Sequence, residues 1–154
     1  MAAEYIFVPT QNVALNSPIL LSNSSPCSCN NIASENQTGV FILHGSKRNC
    51  NCNCPAQYQV LFTANVALPE GATVTPINVA LTLGGVPIPS SLATITPAAA
   101  EQFNHITCSD IVKVPQGGYL ELAVESVADA SDPTVTPAPA ISVKNASLTI
   151  ARIA

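Results

Sequence analysis

Six cysteines are the residues of this chain best equipped for chemistry. Five fall in two tight groups, Cys27-Ser-Cys29 and Cys50-Asn-Cys52-Asn-Cys54, and Cys108 stands alone. In an extended segment a Cys-X-Cys pair directs both sulfurs to one face, roughly 6–7 Å apart. Zinc sites usually set two or more residues between paired ligands so that both thiolates reach one ion. The spacing is therefore a poor fit to a metal centre, although a bent loop could still chelate. The alternatives are disulfide or thiol staples between the two loops, or loop cysteines of no defined role. Many pairings are open. The expectation is no metal, no cofactor and no essential thiol.

The other reactive side chains are scattered. His44 and His105 are the only histidines. A Ser-His-Asp hydrolase needs a base oriented by an acid beside a nucleophile. Ser109-Asp110 lies close to His105 in sequence, but no nucleophile elbow surrounds it. Glu121 and Glu125 fall on one face of a strand with Tyr119, opposite Leu120, Leu122 and Val124, and read as a solvated side. Asp129 and Asp132 offer too few oxygens for calcium, which takes about six to eight. Asn23-Ser-Ser, Asn36-Gln-Thr and Asn145-Ala-Ser match the glycosylation triplet, as a chain rich in Asn, Ser and Thr will by chance. No catalytic residue is assigned, and the chain is expected not to be an enzyme.

The elements that must position these residues are strands. Tyr58, Val60, Phe62, Ala64, Val66 and Leu68 alternate with more polar neighbours, and Ile77, Val79, Leu81 and Leu83 do the same. A period of two bounded by Pro- and Gly-containing turns marks a half-buried strand. Gly84-Gly85 supplies the positive φ values of a tight hairpin into Val86-Pro-Ile. Further strands are expected over Tyr5–Val8, Pro18–Leu21, Val40–Leu43, Leu92–Thr96, Phe103–Val114, Tyr119–Val127 and Ile141–Ile153. Ser22–Gln37 and Asp129–Pro139 read as loops, and Pro97–Gln102 as the one stretch that could form a helical turn. The closing segment Ala146–Ala154 should be paired in the interior of a sheet, because free ends fray. About eight to ten strands at this spacing predict an all-β sandwich or jelly roll.

Composition narrows the partners. The 154 residues fit one domain able to bury roughly 70% of the surface its unfolded form exposes. Charged residues make up 9% of the chain, against about 25% in an ordinary soluble domain. With a net charge of -4 there is no cationic footprint for phosphates, so nucleic acid is excluded as a partner. No apolar run approaches the length that spans a bilayer, and no membrane partner is expected. The segment Met1-Ala-Ala-Glu-Tyr-Ile-Phe-Val-Pro9 lacks the basic and long apolar regions of a secretion signal, which predicts synthesis in a cytoplasm. So uncharged a surface suits a protein covered by copies of itself or by a larger assembly, or a low-charge extracellular domain.

Several segments carry a resemblance. They are Ala56–Leu68, Gly71–Pro89, Ile95–Phe103, Val114-Pro-Gln-Gly-Gly-Tyr119 and Asn145–Ile153. In these the chain resembles proteins encoded by Firmicutes bacteria and their prophages. That group is similar to the tumour-necrosis-factor/C1q-type jelly roll at the C-terminus of exosporium collagen-like proteins. The resemblance spans about residues 39–154 and implies an all-β TNF/C1q-like jelly roll over 38–154. Residues 1–37 would then be an N-terminal attachment arm, since no Gly-X-Y repeat precedes the domain. It also implies a homotrimer with the last strand near the threefold axis. Leu148, Ile150 and Ile153 leave both faces of that strand partly apolar, so Leu148, Ile150, Arg152 and Ile153 are the candidate interface residues. The implied function is a structural virion protein, a phage capsid decoration or head-fibre protein made in the host cytoplasm and carried on the virion surface. Its partner would be the major capsid protein or another virion protein. A receptor- or carbohydrate-binding fibre tip, or a spore-surface structural protein, is the alternative.

Overall fold

The computed structural model describes residues 2–23, 32–34, 38–47 and 54–154. Twelve strands run through them: β1 (Ala2–Phe7), β2 (Gln11–Ala14), β3 (Ser22–Asn23), β4 (Ile32–Ser34), β5 (Phe41–His44), β6 (Ala56–Ala67), β7 (Ile77–Leu83), β8 (Val86–Pro87), β9 (Ala93–Ile95), β10 (Asn104–Val114), β11 (Tyr119–Ser126) and β12 (Ala140–Arg152). Pro89–Ser91 forms a short 3-10 turn. The helical turn expected over Pro97–Gln102 is instead a bend and a turn.

The strands make two antiparallel sheets. The first has the order β10-β6-β12-β1-β3, with β2 also on β12; the second has the order β4-β5-β11-β7-β8, with β9 also on β7. The fold is the expected all-β jelly roll. Its core lies between the sheets and is built by period-two burial: β6 turns Tyr58, Val60, Phe62 and Val66 inward and leaves Gln59 and Leu61 outside. Each such large apolar side chain contributes about 1.5–3 kcal/mol on full burial. Gly84 and Gly85 close the β7–β8 hairpin with φ of +57° and +79°, the pair of left-handed residues that this turn requires.

The long strand β12 organises the first sheet. One of its edges pairs with β6, and the other pairs in succession with β2 and β1. As expected, the last strand lies in a sheet interior. Val8, Pro9 and Thr10 break β1 from β2, and opposite that break β12 carries a bulge between Lys144 and Ser147. Asn145 takes φ of +51° there, which its short polar side chain tolerates, and its N–H donates to Val8 O. The extra residue shifts the inward parity from Ile141 and Val143 to Ala146, Leu148 and Ile150.

This pairing corrects the expected division at residue 37. Ala2–Phe7 pair with β12 over six positions, and Tyr5, Val13, Ile19 and Leu21 are buried in the core. The Tyr5 ring lies 4.5 Å from that of Phe41, which joins β1 of one sheet to β5 of the other. Residues 2–23 are therefore part of the sandwich, not an arm beside it. Pro18–Leu21, expected as a strand, makes only an isolated bridge through Pro18 to Glu125, while β2 forms over Gln11–Ala14.

Candidate functional surface

The residues with reactive side chains are placed apart. His105 and Ser109 sit four residues apart on the outer face of β10, roughly 13 Å along the strand. His105 Nε2 lies 3.3 Å from Thr107 Oγ1, and Asp110 accepts from Ser90 Oγ and from the Ile111 N–H. His44 belongs to the other sheet, where its carbonyl accepts from the buried Tyr58 hydroxyl at 2.5 Å. These groups form no catalytic constellation. Asp129 and Asp132 are engaged in local turns with Ser131 and Thr134. The two Ser131 contacts, hydroxyl and backbone, hold the Asp129 carboxyl below its usual pKa.

Cys108 points into the core, with Sγ 3.3 Å from Val79 O, and burial pushes its thiol up to about 12. A thiol so held is inert at neutral pH. Cys54 is exposed. Cys27, Cys29, Cys50 and Cys52 lie outside the described residues, as does Asn36. Among the described residues no three His, Cys, Asp or Glu side chains gather closely enough to hold a metal ion.

Glu125 departs from the solvated reading. It is 8% exposed, beneath the outer surface of the second sheet, where Asn78, Ala80, Thr82 and Ala123 are buried as well. Burial pushes its pKa above the ordinary value of 4.5, partly offset by Thr82. Thr82 Oγ1 is near enough to favour the charge but meets no partner in hydrogen-bond geometry. Glu121, four residues earlier on β11, is exposed as expected.

Two of the candidate interface residues are placed differently from expectation. Leu148 and Ile150 are fully buried inside the protomer, because the bulge at Asn145 turns both inward. Arg152 is half-buried: its Nε donates to Ala154 O at 3.1 Å and its Nη2 to Ser46 Oγ at 3.4 Å. Ile153 remains on the surface, half exposed.

The surface that stands out is the outer face of the first sheet. Its cross-strand rows are Ile111–Gln59–Ala151–Ala2, Ser109–Leu61–Thr149–Glu4 and Thr107–Thr63–Ser147–Ile6. Glu4 is the one charged side chain in these rows, and Ser147 Oγ donates to it at 3.4 Å. The solvated face of an antiparallel sheet is ordinarily polar. Here Leu61, Ile111 and Ile153 are 42%, 51% and 50% exposed, grouped around Gln59 and Ala151. Sequence reasoning looked for this apolar face on β12 alone; it is spread over β10, β6 and β12, and only the register assembles it.

No protein-family model matches the chain, and no curated protein matches it. Solved structures do. The globular domain of zebrafish complement 1qA protein aligns over 99% of this chain and 97% of its own, with 12% identity and a TM-score of 0.57. The Eiger TNF of S. frugiperda aligns over 100% of this chain and 92% of its own, with 13% identity and a TM-score of 0.59. At such low identity the likeness establishes the fold, a C1q/TNF-like jelly roll.

Proposed function

We propose that this chain is a non-catalytic structural module that assembles as a homotrimer through the outer face of its first sheet. The trimer would serve on a virion surface as a capsid decoration or head-fibre protein. The observation that carries the trimer is that face, which exposes Leu61, Ile111 and Ile153 together, with Glu4 and the exposed Lys113 as charges beside them. Contiguous exposed apolar side chains on a soluble domain mark interaction sites. Closed cyclic symmetry lets three copies cover one another with a single patch, and C1q/TNF-like domains are typically trimeric structural or binding modules.

The dispersal of His44, His105, Ser109 and Asp110 supports a role without catalysis. The sequence resemblance to prophage-encoded proteins supports the virion, with the major capsid protein or another virion protein as the partner. The low charge suits a subunit covered on several sides. The test is to add the purified protein to particles of the encoding phage from which its gene has been deleted. Saturable co-sedimentation with full particles is expected. Protein that stays in the supernatant at micromolar concentration would refute the virion role and leave the trimer to be judged separately.

A further inference from the structure

A strand at the end of a sheet leaves a row of N–H and C=O groups unpaired, and another strand can add to them. Four strands end the two sheets: β10 and β3 in the first, β4 and β8 in the second. β3, β4 and β8 are two, three and two residues long, and β8 carries Pro87. Short length and proline both protect an edge. β10 has neither protection: it is eleven residues long, lacks proline and keeps unbroken register with β6. The register also says which of its groups are bare. The Gln57 N–H donates to Ala154 O and Gln57 O accepts from the Ile153 N–H, so odd-numbered residues of β6 bond to β12. Even-numbered residues of β6 therefore bond to β10, where their partners are even-numbered too, as Tyr58 with Val112 and Phe62 with Cys108. The N–H and C=O groups of His105, Thr107, Ser109, Ile111 and Lys113 point away from the sheet. Among the described residues one of these N–H groups has a partner: Ile111 N–H donates to Asp110 Oδ1 at 2.6 Å.

We propose that Asp110 guards this edge, keeping β10 from pairing with β10 of a second copy of the chain. Its position in the strand is the first argument. Even-numbered residues of β10 face the core, where Ile106, Cys108, Val112 and Val114 are buried. Asp110 puts a half-buried carboxylate into that apolar series. An inward-pointing charge at a sheet edge is one of the ways natural proteins block strand addition. The hydrogen bonds are the second argument. One carboxylate oxygen occupies the Ile111 N–H that an added strand would need, and the other accepts from the Ser90 hydroxyl on the 3-10 turn. A strand laid against β10 would have to displace the carboxylate and strip it of water. No cation stands ready to compensate, because Lys113 lies on the opposite, outer face of β10. The inference concerns the edge of a single chain and does not rest on the trimer. If the trimer forms, the same carboxylate confines self-association to the face of the sheet.

The test compares the full chain with Asp110→Ala, Asp110→Asn and Ser90→Ala, by sedimentation velocity over a concentration series and by amide hydrogen exchange. Asp110→Ala should associate beyond the unmodified protein's own assembly, with a constant raised by about tenfold or more, the effect of one hydrogen bond to a charged group. Asp110→Asn keeps an acceptor for the Ile111 N–H without the charge, so its association should rise by less; it also carries the comparison if the alanine variant does not fold. Ser90→Ala separates the guard from a mere staple between β10 and the 3-10 turn, and should associate no more than the unmodified protein. The amides of Thr107 and Ser109 should exchange rapidly in the unmodified protein and become protected in the associated Asp110→Ala variant. Unmodified association in every Asp110 variant that folds overturns the proposal. So does equal association in Ser90→Ala, or an associated Asp110→Ala variant whose Thr107 and Ser109 amides still exchange rapidly.

Discussion

Replacing Tyr5 with alanine should cost this fold about 3–5 kcal/mol, the range for deleting a large buried aromatic side chain. Tyr5 is 5% exposed and belongs to the hydrophobic core, and its ring packs 4.5 Å from Phe41 at an interplanar angle of 47°. The contact crosses from β1 to β5, so the side chain helps hold the two sheets together. Aromatic pairs contribute about 0.5–1.5 kcal/mol beyond area burial, which a double-mutant cycle with Phe41→Leu should return as coupling. Against a total stability of about 5–15 kcal/mol the loss is large. The assay is urea unfolding followed by far-ultraviolet circular dichroism at fixed chain concentration, because oligomerisation would shift the midpoint. Tyr5→Leu, which keeps most of the apolar volume, guards against a variant too unstable to study. A loss below about 1 kcal/mol, with zero coupling to Phe41, would refute the placement of residues 2–7 in the sandwich and restore the arm.

Three further outcomes follow from named contacts. Glu125→Gln should stabilise the protein at pH 7. The raised pKa of Glu125 means that its charged form burdens the folded state, so the advantage should shrink as pH falls through that raised value and vanish below about 4.5, as read from thermal midpoints across pH. Gly45→Ala should destabilise by about 1–3 kcal/mol in chemical denaturation, because its new Cβ would stand 1.9 Å from the Pro115 carbonyl oxygen. Ile150→Asp should unfold the protomer, seen as loss of the β-sheet circular dichroism signal, since it places a charge in the core rather than at a subunit contact.

The strands were legible because half-buried strands in this chain alternate cleanly. β6, β7, β10, β11 and β12 lie within a residue or two of where the period-two runs put them. The N-terminal segment was misread because Ala2–Phe7 is short and its alternation weak, and because its partner, β12, lies at the other end of the chain. The faces of β12 were misread for a different reason. A single bulge at Asn145 reverses inward parity halfway along, and apolar residues on both sides of it look like two apolar faces. Glu125 looked solvated because the pattern of β11 shows which face a residue takes, not whether that face is covered.

Self-association through the outer face of the first sheet underlies the proposed function. Sedimentation equilibrium at micromolar concentration tests it directly, on the unmodified chain and on the Leu61→Glu, Ile111→Glu double variant. The unmodified protein should sediment at three times the chain mass of 15.9 kDa. The double variant should sediment at the mass of one chain, with an unchanged circular dichroism spectrum, because both substitutions fall on exposed positions. A soluble single chain for the unmodified protein, or a trimer untouched by the two glutamates, would contradict it.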